Sequence, residues 1–314
     1  NQGGGVASQM MRETLRLARE REAVVSALMP FRASFYEHFG YGIVERRCTW
    51  TVPLANFPAG DVEGMRFFEA NDLPALAACH QRCAANGQCE VERSPAAWDV
   101  FLRKVEDGLL VMDCAADGMI RGYLAFQTLQ QNGKDTIYVS ENVYEDMAAL
   151  RRQLYFLASQ RDQYSVASIT LPADVPLNWL LREVQIPHRL VNHPTPEVRP
   201  FTLMQLRVLD HARLIEAMHL PAGRAGKVVV GVRESEGRET RFAIDFHEGK
   251  ASVSRSAAAA EFECADHIWA AVVCGNLPAT QALKLGLASA SGCQAARQLD
   301  VFAEGPLPFN REYW

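Results

Sequence analysis

The sequence has no run of about 18 apolar residues, the length that a membrane-spanning helix needs. It also has too few basic residues for an extended cationic surface, because 32 Lys and Arg stand against 37 Asp and Glu, giving a formal net charge of −5. A nucleic-acid groove or an anionic membrane would need clustered Lys and Arg. We therefore expect neither nucleic acid nor a membrane as the main partner.

The cysteines form no disulfide framework. All eight are scattered through apolar neighbourhoods of the 314-residue chain, which is typical of reduced thiols and favours a cytoplasmic location. Cys79, His80 and Cys83, with Cys89 beyond, are the one candidate metal site. Their spacing fits no common structural zinc motif, and Cys79 and Cys83 lie one helical turn apart on an apolar face. We expect core packing and no metal.

A glycine-rich stretch at the beginning of the chain precedes a helical pattern over residues 9–21. Glycines let the backbone approach a ligand closely, and a helix N-terminus presents free N–H groups to an anion. The pattern therefore predicts a phosphate site just before a helix; the alternative is a flexible start of the chain. The stretch reads Gln2-Gly3-Gly4-Gly5-Val6-Ala7-Ser8.

An apolar run and an aromatic segment follow. Residues 23–28 predict a buried strand, and residues 35–42 read Phe-Tyr-Glu-His-Phe-Gly-Tyr-Gly. This order resembles the GNAT acetyltransferases, in which a Gln-x-x-Gly-x-Ala loop binds pyrophosphate and a short helix carries a tyrosine that faces the coenzyme sulfur. Within that superfamily the chain is most similar to the Eis (enhanced intracellular survival) family of N-acetyltransferases.

The resemblance implies strands and helices upstream of the phosphate loop. The first residue is not Met, and with ordinary domain sizes roughly 60 to 90 residues of the first domain are expected to be missing. Any signal peptide would lie in that part, so the cytoplasmic location is expected from the cysteines and the family alone.

The similarity covers the whole chain and implies an α+β protein with tandem GNAT folds. Residues 1–62 would be the C-terminal part of the catalytic GNAT domain, residues 63–205 a second GNAT domain, and residues 206–314 a sterol-carrier-like domain. Residues 43–53 have the β-branched and aromatic content of an edge strand. We expect that strand to close the first domain.

The second domain is expected to be a structural, non-catalytic copy. A helix capped by Asp72, a hairpin around Ala116-Asp117-Gly118 and a strand–helix–strand order over residues 136–171 resemble a GNAT fold. However, Val143-Tyr144-Glu145-Asp146-Met147 stands where a phosphate loop would be. This segment has no glycine, and its two carboxylates would repel phosphate.

The third domain begins with a predicted β-meander over residues 227–255, followed by helices at 264–274 and 280–287. The loop Gly275-Asn276-Leu277-Pro278 resembles that of sterol-carrier-like domains. Because sterol carriers hold a lipid, the alternative function is a non-catalytic lipid- or effector-binding protein.

The chain ends in the aromatic tail Gly-Pro-Leu-Pro-Phe-Asn-Arg-Glu-Tyr-Trp, residues 305–314. Eis-family chains end similarly, and their terminal carboxylate enters the active site of the first domain. The resemblance assigns this role to Trp314, provided that no residues follow it; the alternative is an ordinary packed tail. Glu312 is the one side-chain carboxylate in this tail and a candidate for selecting an amine.

The resemblance implies an N-acetyltransferase that uses acetyl coenzyme A. The coenzyme would be held by the main chain of the glycine-rich stretch, with Phe31 and Arg32 lining its channel. Tyr36 would be the general acid for the departing thiolate, because a phenol keeps its proton at neutral pH, and the Trp314 carboxylate would be the general base. The coenzyme-binding residues so predicted are Gly3, Gly4, Gly5, Val6, Ala7, Ser8, Phe31 and Arg32.

Tyr41 is a poorer candidate for the general acid, because the family places its acid five residues before Tyr41. His38 is a poorer candidate for the general base, because it projects from a different side of the helix than Tyr36. The acceptor would be a primary amine of aminoglycoside, lysine or polyamine type. Family members assemble as hexamers, so a homo-oligomer is expected.

Overall fold

The computed structural model describes residues 4–105, 108–131, 133–184 and 196–312. These ranges contain nine α-helices and fifteen β-strands, the strands arranged in three sheets. The described chain packs into two compact units: residues 4–45 with 202–308, and residues 46–201 with 309–312. The mixed α+β class predicted from the sequence is confirmed.

The helices are α1 (Gly4–Glu20), α2 (Ala33–Glu37), α3 (Leu73–Asn86), α4 (Pro95–Val105), α5 (Met147–Ser159), α6 (His211–Glu216), α7 (Asp266–Val273), α8 (Ala279–Lys284) and α9 (Cys293–Leu299). The strands are β1 (Val25–Leu28), β2 (Gly42–Ile43), β3 (Arg47–Pro53), β4 (Met65–Phe67), β5 (Leu109–Cys114), β6 (Ile120–Gln131), β7 (Lys134–Tyr144), β8 (Val166–Pro172), β9 (Glu197–Phe201), β10 (Gln205–Val208), β11 (Gly226–Arg233), β12 (Glu239–His247), β13 (Lys250–Arg255), β14 (Phe262–Ala265) and β15 (Ala288–Ala290). None of the helices in the described part of the chain combines the length and apolar character that crossing a bilayer requires.

The first unit contains two sheets. In the smaller one, β10 lies between β1 and β2 and pairs antiparallel with both, so that Val208 is opposite Val25 and Gln205 is opposite Ile43. The larger sheet has the order β13-β12-β11-β14-β15, and β14 runs parallel to β11. Strands β11 to β13 form the meander that the sequence predicts.

A buried tryptophan organises the core beside the larger sheet. Trp269 in α7 is fully buried, and its ring packs edge-on against Phe242 of β12 and Phe302, with centroid distances of 5.7 and 6.2 Å. Aromatic side chains in this arrangement gain quadrupole attraction in addition to burial. The apolar residues of this sheet therefore form a packed core.

The second unit is built on a seven-stranded sheet of order β4-β5-β6-β7-β8-β3-β9. The helix α5 connects the parallel strands β7 and β8. Neighbouring residues of a strand face opposite sides, so Leu124 packs with Leu150 and Leu154 of α5, whereas Tyr123 packs with Trp98 of α4 and others on the other face. Both faces of the sheet are therefore covered.

Residues 43–53 do not form one edge strand, so that prediction is wrong. β2 ends at Ile43 in the first unit, and β3 lies inside the sheet of the second unit, where Trp50 is opposite Ile169 on one side and Val198 on the other. β-Branched and aromatic content indicates a strand but does not identify its partners. The three-domain division at residues 62 and 205 stays a prediction.

The strands β3 and β10 occupy matching places. In each unit a helix, a strand, a short helical turn and another strand follow in order: α1, β1, α2 and β2 in the first, and α5, β8, a 3-10 turn and β9 in the second. In the sheet, the strand that lies between the two strands of this series is β10 in the first unit and β3 in the second. Each sheet is thus completed by a strand from a distant part of the sequence.

Two local predictions also have outcomes. The Asp72 carboxylate does not cap α3; it accepts hydrogen bonds from the backbone N–H of Glu69 at 2.9 Å and from Arg66 at 2.6 Å. Cys79 is fully buried among apolar side chains and Cys83 partly so, which fits core packing. Within the described ranges no group of three or more His, Cys, Asp or Glu residues is arranged to hold a metal ion.

The position of β3 predicts slow amide exchange. A strand paired on both sides offers no row of free N–H groups, whereas an edge strand does. In hydrogen–deuterium exchange with mass spectrometry, peptides covering Arg47–Pro53 should exchange at least about tenfold more slowly than peptides covering the adjacent strand Glu197–Phe201. Equally fast exchange of the two strands would contradict the pairing of β3 with β9.

Candidate active site

The first turn of α1 contains most of the predicted phosphate-binding residues. The sequence predicted that these residues form a loop before the helix. In the structure the helix begins at Gly4, so Gly4, Gly5, Val6, Ala7 and Ser8 are themselves helical. Gly5, Val6 and Ala7 are exposed and Ser8 is half-buried, while Gly3 lies outside the described residues. The first N–H groups of a helix have no intrahelical partner. This turn therefore presents exposed donors, with no acidic side chain in it.

The corresponding turn of the second unit already carries a carboxylate cap. The side chain of Asp146 caps α5 by accepting a hydrogen bond from the N–H of Ala149 at 2.8 Å. Glu145 beside it is held by Arg82 at 2.6 Å and lies 3.6 Å from Arg121. A carboxylate already neutralises the positive end of this helix. The absence of a phosphate site that the sequence predicts for this unit agrees with this geometry.

Tyr36 lies in α2 within a cluster of aromatic rings. Its ring centroid is 5.0 Å from that of Phe35, 5.5 Å from Phe31 and 6.0 Å from Tyr41, all in edge-on orientation. The same cluster packs against the inner face of α1 through Leu15. Tyr36 is half-buried, and no hydrogen bond to its hydroxyl comes from the described residues. Its phenol therefore remains available to a ligand.

Tyr41 differs from Tyr36 in its environment. It is 1% exposed, and its hydroxyl shares a hydrogen bond of 2.7 Å with Oγ of Ser26 in β1. Burial raises the pKa of the Tyr41 phenol above its ordinary value. The hydrogen bond of this hydroxyl therefore attaches the aromatic cluster to β1.

Two side chains of β10 hold the segment that carries Tyr36. The amide nitrogen of Gln205 donates to the carbonyl oxygens of Ala33 at 3.4 Å and Tyr41 at 3.3 Å, and the Arg207 guanidinium donates to the carbonyl of Phe39. Buried carbonyl groups at the ends of a short helix need such donors. The position of Tyr36 therefore depends on a strand far downstream in the sequence.

Arg207 is itself fixed by acidic and polar partners. It is 1% exposed, and its guanidinium lies 3.2 Å from a carboxylate oxygen of Glu236 and 3.5 Å from one of Glu234. The Asp266 carboxylate accepts from the N–H of Ser235 at 2.6 Å and lies against Gly40. A buried cation needs such partners, because desolvation would otherwise disfavour its charge.

The remaining predicted residues have separate positions. Phe31 is 79% exposed and Arg32 is also exposed, so both are accessible beside Tyr36. His38 donates from Nδ1 to the carbonyl of Ser34 at 2.6 Å, which turns the ring back onto its own helix. Trp314 lies outside the described residues.

Glu312, the candidate amine-selecting carboxylate, is already paired. Its Oε1 accepts from Nε of Arg93 at 2.7 Å in the second unit. Sequence reasoning also missed Gln205, Arg207 and Asp266. A single Gln or Arg in a four-residue strand carries no motif, so no local signal could have found them.

Two segments of the chain match models of one domain family. Residues 1–44 match a model of the acetyltransferase (GNAT) domain, and residues 89–208 match a second model with the same description. The second match ends at Val208, the last residue of β10. No curated protein matches the sequence.

Solved structures share the fold at low sequence identity. A GCN5-related N-acetyltransferase from Anabaena variabilis has a TM-score of 0.85 at 18% identity, over 100% of this chain and 79% of that one. A probable N-acyltransferase of unknown function from Enterococcus faecalis has a TM-score of 0.80 at 19% identity, over 100% and 78%. Eis1 from Mycobacterium abscessus has a TM-score of 0.78 at 22% identity, over 100% and 79%.

These matches and the fold define the class of protein. The chain carries GNAT acetyltransferase domains and is an acyltransferase. A GNAT fold implies acyl transfer from an acyl coenzyme A, with acetyl coenzyme A as the co-substrate.

Gly40 provides a test of the contacts around Tyr36. Gly40 and Gly237 both have positive φ, of 79° and 81°, but only Gly40 has close neighbours: a methyl group there would overlap the Asp266 carboxylate. Gly237→Ala should lower the free energy of unfolding by about 1–2 kcal/mol through backbone strain. Gly40→Ala should lose about 1–3 kcal/mol more because of overpacking. Urea denaturation measures both, and equal losses would contradict the close approach of α7.

Proposed function

We propose that the protein is an N-acetyltransferase that moves the acetyl group of acetyl coenzyme A to a primary amine. The observation that carries this proposal is the contrast between α1 and α5. The first turn of α1 is exposed and free of acidic side chains, whereas α5 is capped by Asp146. Of these two helix ends, the one in the first unit suits a diphosphate.

The proposed coenzyme site extends from that turn toward Tyr36. The N–H groups of Gly3 to Ser8 would bind the diphosphate, and the exposed side chains of Phe31 and Arg32 would line the channel of the coenzyme. The guanidinium of Arg32 would add a cation for a phosphate group. Their exposure supports this assignment, because a bound coenzyme needs accessible surface.

Tyr36 is the proposed general acid. Attack of the amine nitrogen on the thioester carbonyl forms the new C–N bond, and collapse of the tetrahedral intermediate breaks the C–S bond. The departing thiolate then takes the phenolic proton of Tyr36. The free hydroxyl of Tyr36 supports this role, whereas that of Tyr41 is engaged by Ser26.

The carboxylate of Trp314 is the proposed general base, where Trp314 is the last residue of the protein. It would accept the proton that the attacking amine loses, directly or through one water molecule. A carboxylate in a partly desolvated site is a stronger base than one in water. This role rests on the similarity of the tail to that of Eis-family proteins.

The acceptor is proposed to be an aminoglycoside, a lysine side chain or a polyamine, all of which carry primary amines. The proposed organisation is a tandem of GNAT folds with a sterol-carrier-like region over residues 206–314, assembled as a cytoplasmic hexamer. Glu312 is not proposed as the amine-selecting group, because its carboxylate is paired with Arg93.

The rival function is a non-catalytic lipid or effector carrier. It is less well supported, because Trp269, Phe242 and Phe302 fill the space beside the larger sheet of the first unit. The cleft of about 560 Å³ on this sheet is lined by charged side chains, among them Asp210, Glu234 and Arg241. Lipid chains favour apolar walls.

The proposed diphosphate site predicts a charge effect at α1. Ala7→Glu places a carboxylate in the first turn, as Asp146 does in α5, and should weaken coenzyme A binding about tenfold through repulsion of the diphosphate. Ala7→Gln has nearly the same size without the charge and is the matched control. Isothermal titration with coenzyme A measures both dissociation constants. Equal affinities in the two variants would show that the diphosphate does not bind at this turn.

The assignment of Tyr36 predicts a loss of turnover without a loss of binding. In a thiol-release assay with acetyl coenzyme A and a panel of amines, Tyr36→Phe should lower kcat by about 10²- to 10⁴-fold and leave the affinity for coenzyme A unchanged. Tyr41→Phe is the control, since its hydroxyl serves packing, and should keep most of the turnover. No turnover by the unmodified protein with any amine, together with lipid that co-purifies, would favour the carrier.

A further inference from the structure

The cleft of about 560 Å³ on the larger sheet of the first unit has the volume of a small-molecule site. It is lined by residues from the last turn of α1, the start of α6, the turn between β11 and β12, and the end of β13. Of the described residues, none that is proposed for the coenzyme or for catalysis lines this cleft. The cleft is therefore separate from the proposed active site.

The cleft and the proposed diphosphate site lie at opposite ends of α1. The diphosphate site is the first turn of this helix, which begins at Gly4, whereas Arg19 in the last turn lines the cleft. With a rise of 1.5 Å per residue, Gly4 and Arg19 lie about 20 Å apart. A ligand in the cleft is therefore not the diphosphate of a coenzyme bound at the first turn.

One wall of the cleft is a stacked pair of rings held by hydrogen bonds. The ring of His211 lies against that of Phe242 in β12, with centroids 5.1 Å apart and an angle of 20° between the planes. Nε2 of His211 donates to Oε1 of Glu234 at 3.2 Å, and the hydroxyl of Thr240 donates to the same oxygen at 3.2 Å. These contacts order the wall in the absence of a ligand, which lowers the cost of binding one.

The carboxylate of Glu234 is charged, but its charge is balanced inside the wall. The side chain is 4% exposed, and Oε2 lies 3.5 Å from the buried guanidinium of Arg207. Burial disfavours the charge, but the hydrogen bond from His211 and the charge of Arg207 outweigh burial and lower the pKa of Glu234. Glu234 is therefore a poor source of repulsion for an anion in the cleft.

The other carboxylates of the cleft are also engaged. Arg241 binds Glu239 at 2.5 Å, and Asp210 caps α6 by accepting a hydrogen bond from a backbone N–H at 3.0 Å. Arg19 is paired as well, with Glu236 at 3.0 Å. These pairs leave little free negative charge along the cleft.

Two arginines of the cleft have no such partner. Arg238 lies in the turn between β11 and β12, and Arg255 is the last residue of β13. Both are exposed, and neither forms an ion pair with a carboxylate of the described residues. Arg255 is opposite Phe242 in the sheet, so both side chains are on the same face. The cleft is thus lined by four arginines and three carboxylates, although the whole chain has a net charge of −5.

His211 contributes one more polar atom to this wall. Its Nδ1 is buried and has no hydrogen-bond partner among the described residues, whereas Nε2 is engaged by Glu234. Most buried polar atoms in proteins have a partner. A polar ligand, directly or through an ordered water molecule, would supply one.

We propose that this cleft binds a small organic anion through a carboxylate or phosphate group. The guanidinium groups of Arg238 and Arg255 bind the anionic oxygens, because the planar fork of an arginine matches two oxygens of either group. The partly exposed ring of His211 and the side chain of Val253 pack against the rest of the ligand. The protein thus has a ligand in addition to the two substrates of the proposed reaction.

The test is isothermal titration of the full chain with two probes, inorganic phosphate and succinate, at constant ionic strength. Arg255→Gln removes a charged donor from the cleft and should weaken the binding of at least one probe about tenfold or more. Arg297→Gln is the matched control, because it removes an exposed arginine of α9 outside the cleft with the same loss of charge. This control should bind both probes as the unmodified protein does.

A second variant locates the bound anion. Arg238→Gln should act in the same direction as Arg255→Gln, and the double variant should lose detectable binding in the cleft. Both positions are exposed, so these variants should fold as the unmodified protein does. Phosphate bound at the first turn of α1 would respond to Ala7→Glu instead and would be insensitive to Arg255→Gln. The result for the cleft is therefore independent of the proposed function.

The two probes distinguish the sources of the anionic group. Weaker binding to Arg255→Gln than to Arg297→Gln supports the site: a response with phosphate alone indicates a phosphate ester, a response with succinate alone indicates a carboxylate, and a response with both indicates either group. Failure of the unmodified protein to bind either probe would overturn the proposal. Equal affinities of Arg255→Gln and Arg297→Gln for both probes would overturn it as well, because general attraction by surface charge would then explain the binding.

Discussion

The position of Tyr36 depends on β10, a strand of only four residues. Its backbone pairs with β1 on one side and with β2 on the other, and its Gln205 and Arg207 side chains donate to carbonyl groups on both flanks of α2. Short helices leave several carbonyls without partners, and buried carbonyls need donors. Arg207 suits this task because its planar fork can serve a carbonyl and two carboxylates at once.

The two units follow one order of elements but differ where a phosphate would bind. Each has a helix, a strand, a short turn and a second strand in that order. In the sheet, a strand from elsewhere in the sequence lies between these two strands. At the start of the helix, however, α1 has glycines and no acid, and α5 has Asp146 as a cap. One carboxylate at a helix N-terminus is enough to satisfy the donors that a phosphate would use.

Buried arginines recur wherever a distant segment has to be held. Arg207 holds the ends of α2 in the first unit, and Arg93 and Arg311 hold the tail against the second. A buried guanidinium is tolerated only with well-placed partners, so each of these contacts admits few alternative geometries. Because the Glu312 carboxylate is the partner of the buried Arg93 guanidinium, it is not available to select an amine.

The sequence by itself determined the elements whose signals are local. Apolar periodicity predicted α1 and β1, and alternation and turn residues predicted the meander β11–β13. The prediction that α5 has no phosphate site likewise rests on two neighbouring carboxylates, and the cap formed by Asp146 agrees with it. The resemblance of residues 1–42 to GNAT acetyltransferases agrees with the family match over residues 1–44. In each case neighbouring residues carry the whole signal, because capping, periodicity and turn formation act over a few positions.

Only the tertiary structure decided which strands pair and which charges meet. Residues 47–53 read as a strand in either unit, and nothing in them specifies β8 and β9 as partners. Likewise Gln205, Arg207 and Arg93 look like ordinary polar residues until folding brings their partners from up to 219 positions away. Strand propensity and side-chain charge are properties of single residues, whereas pairing is decided by the free energy of the whole packed chain, which no short window of sequence contains.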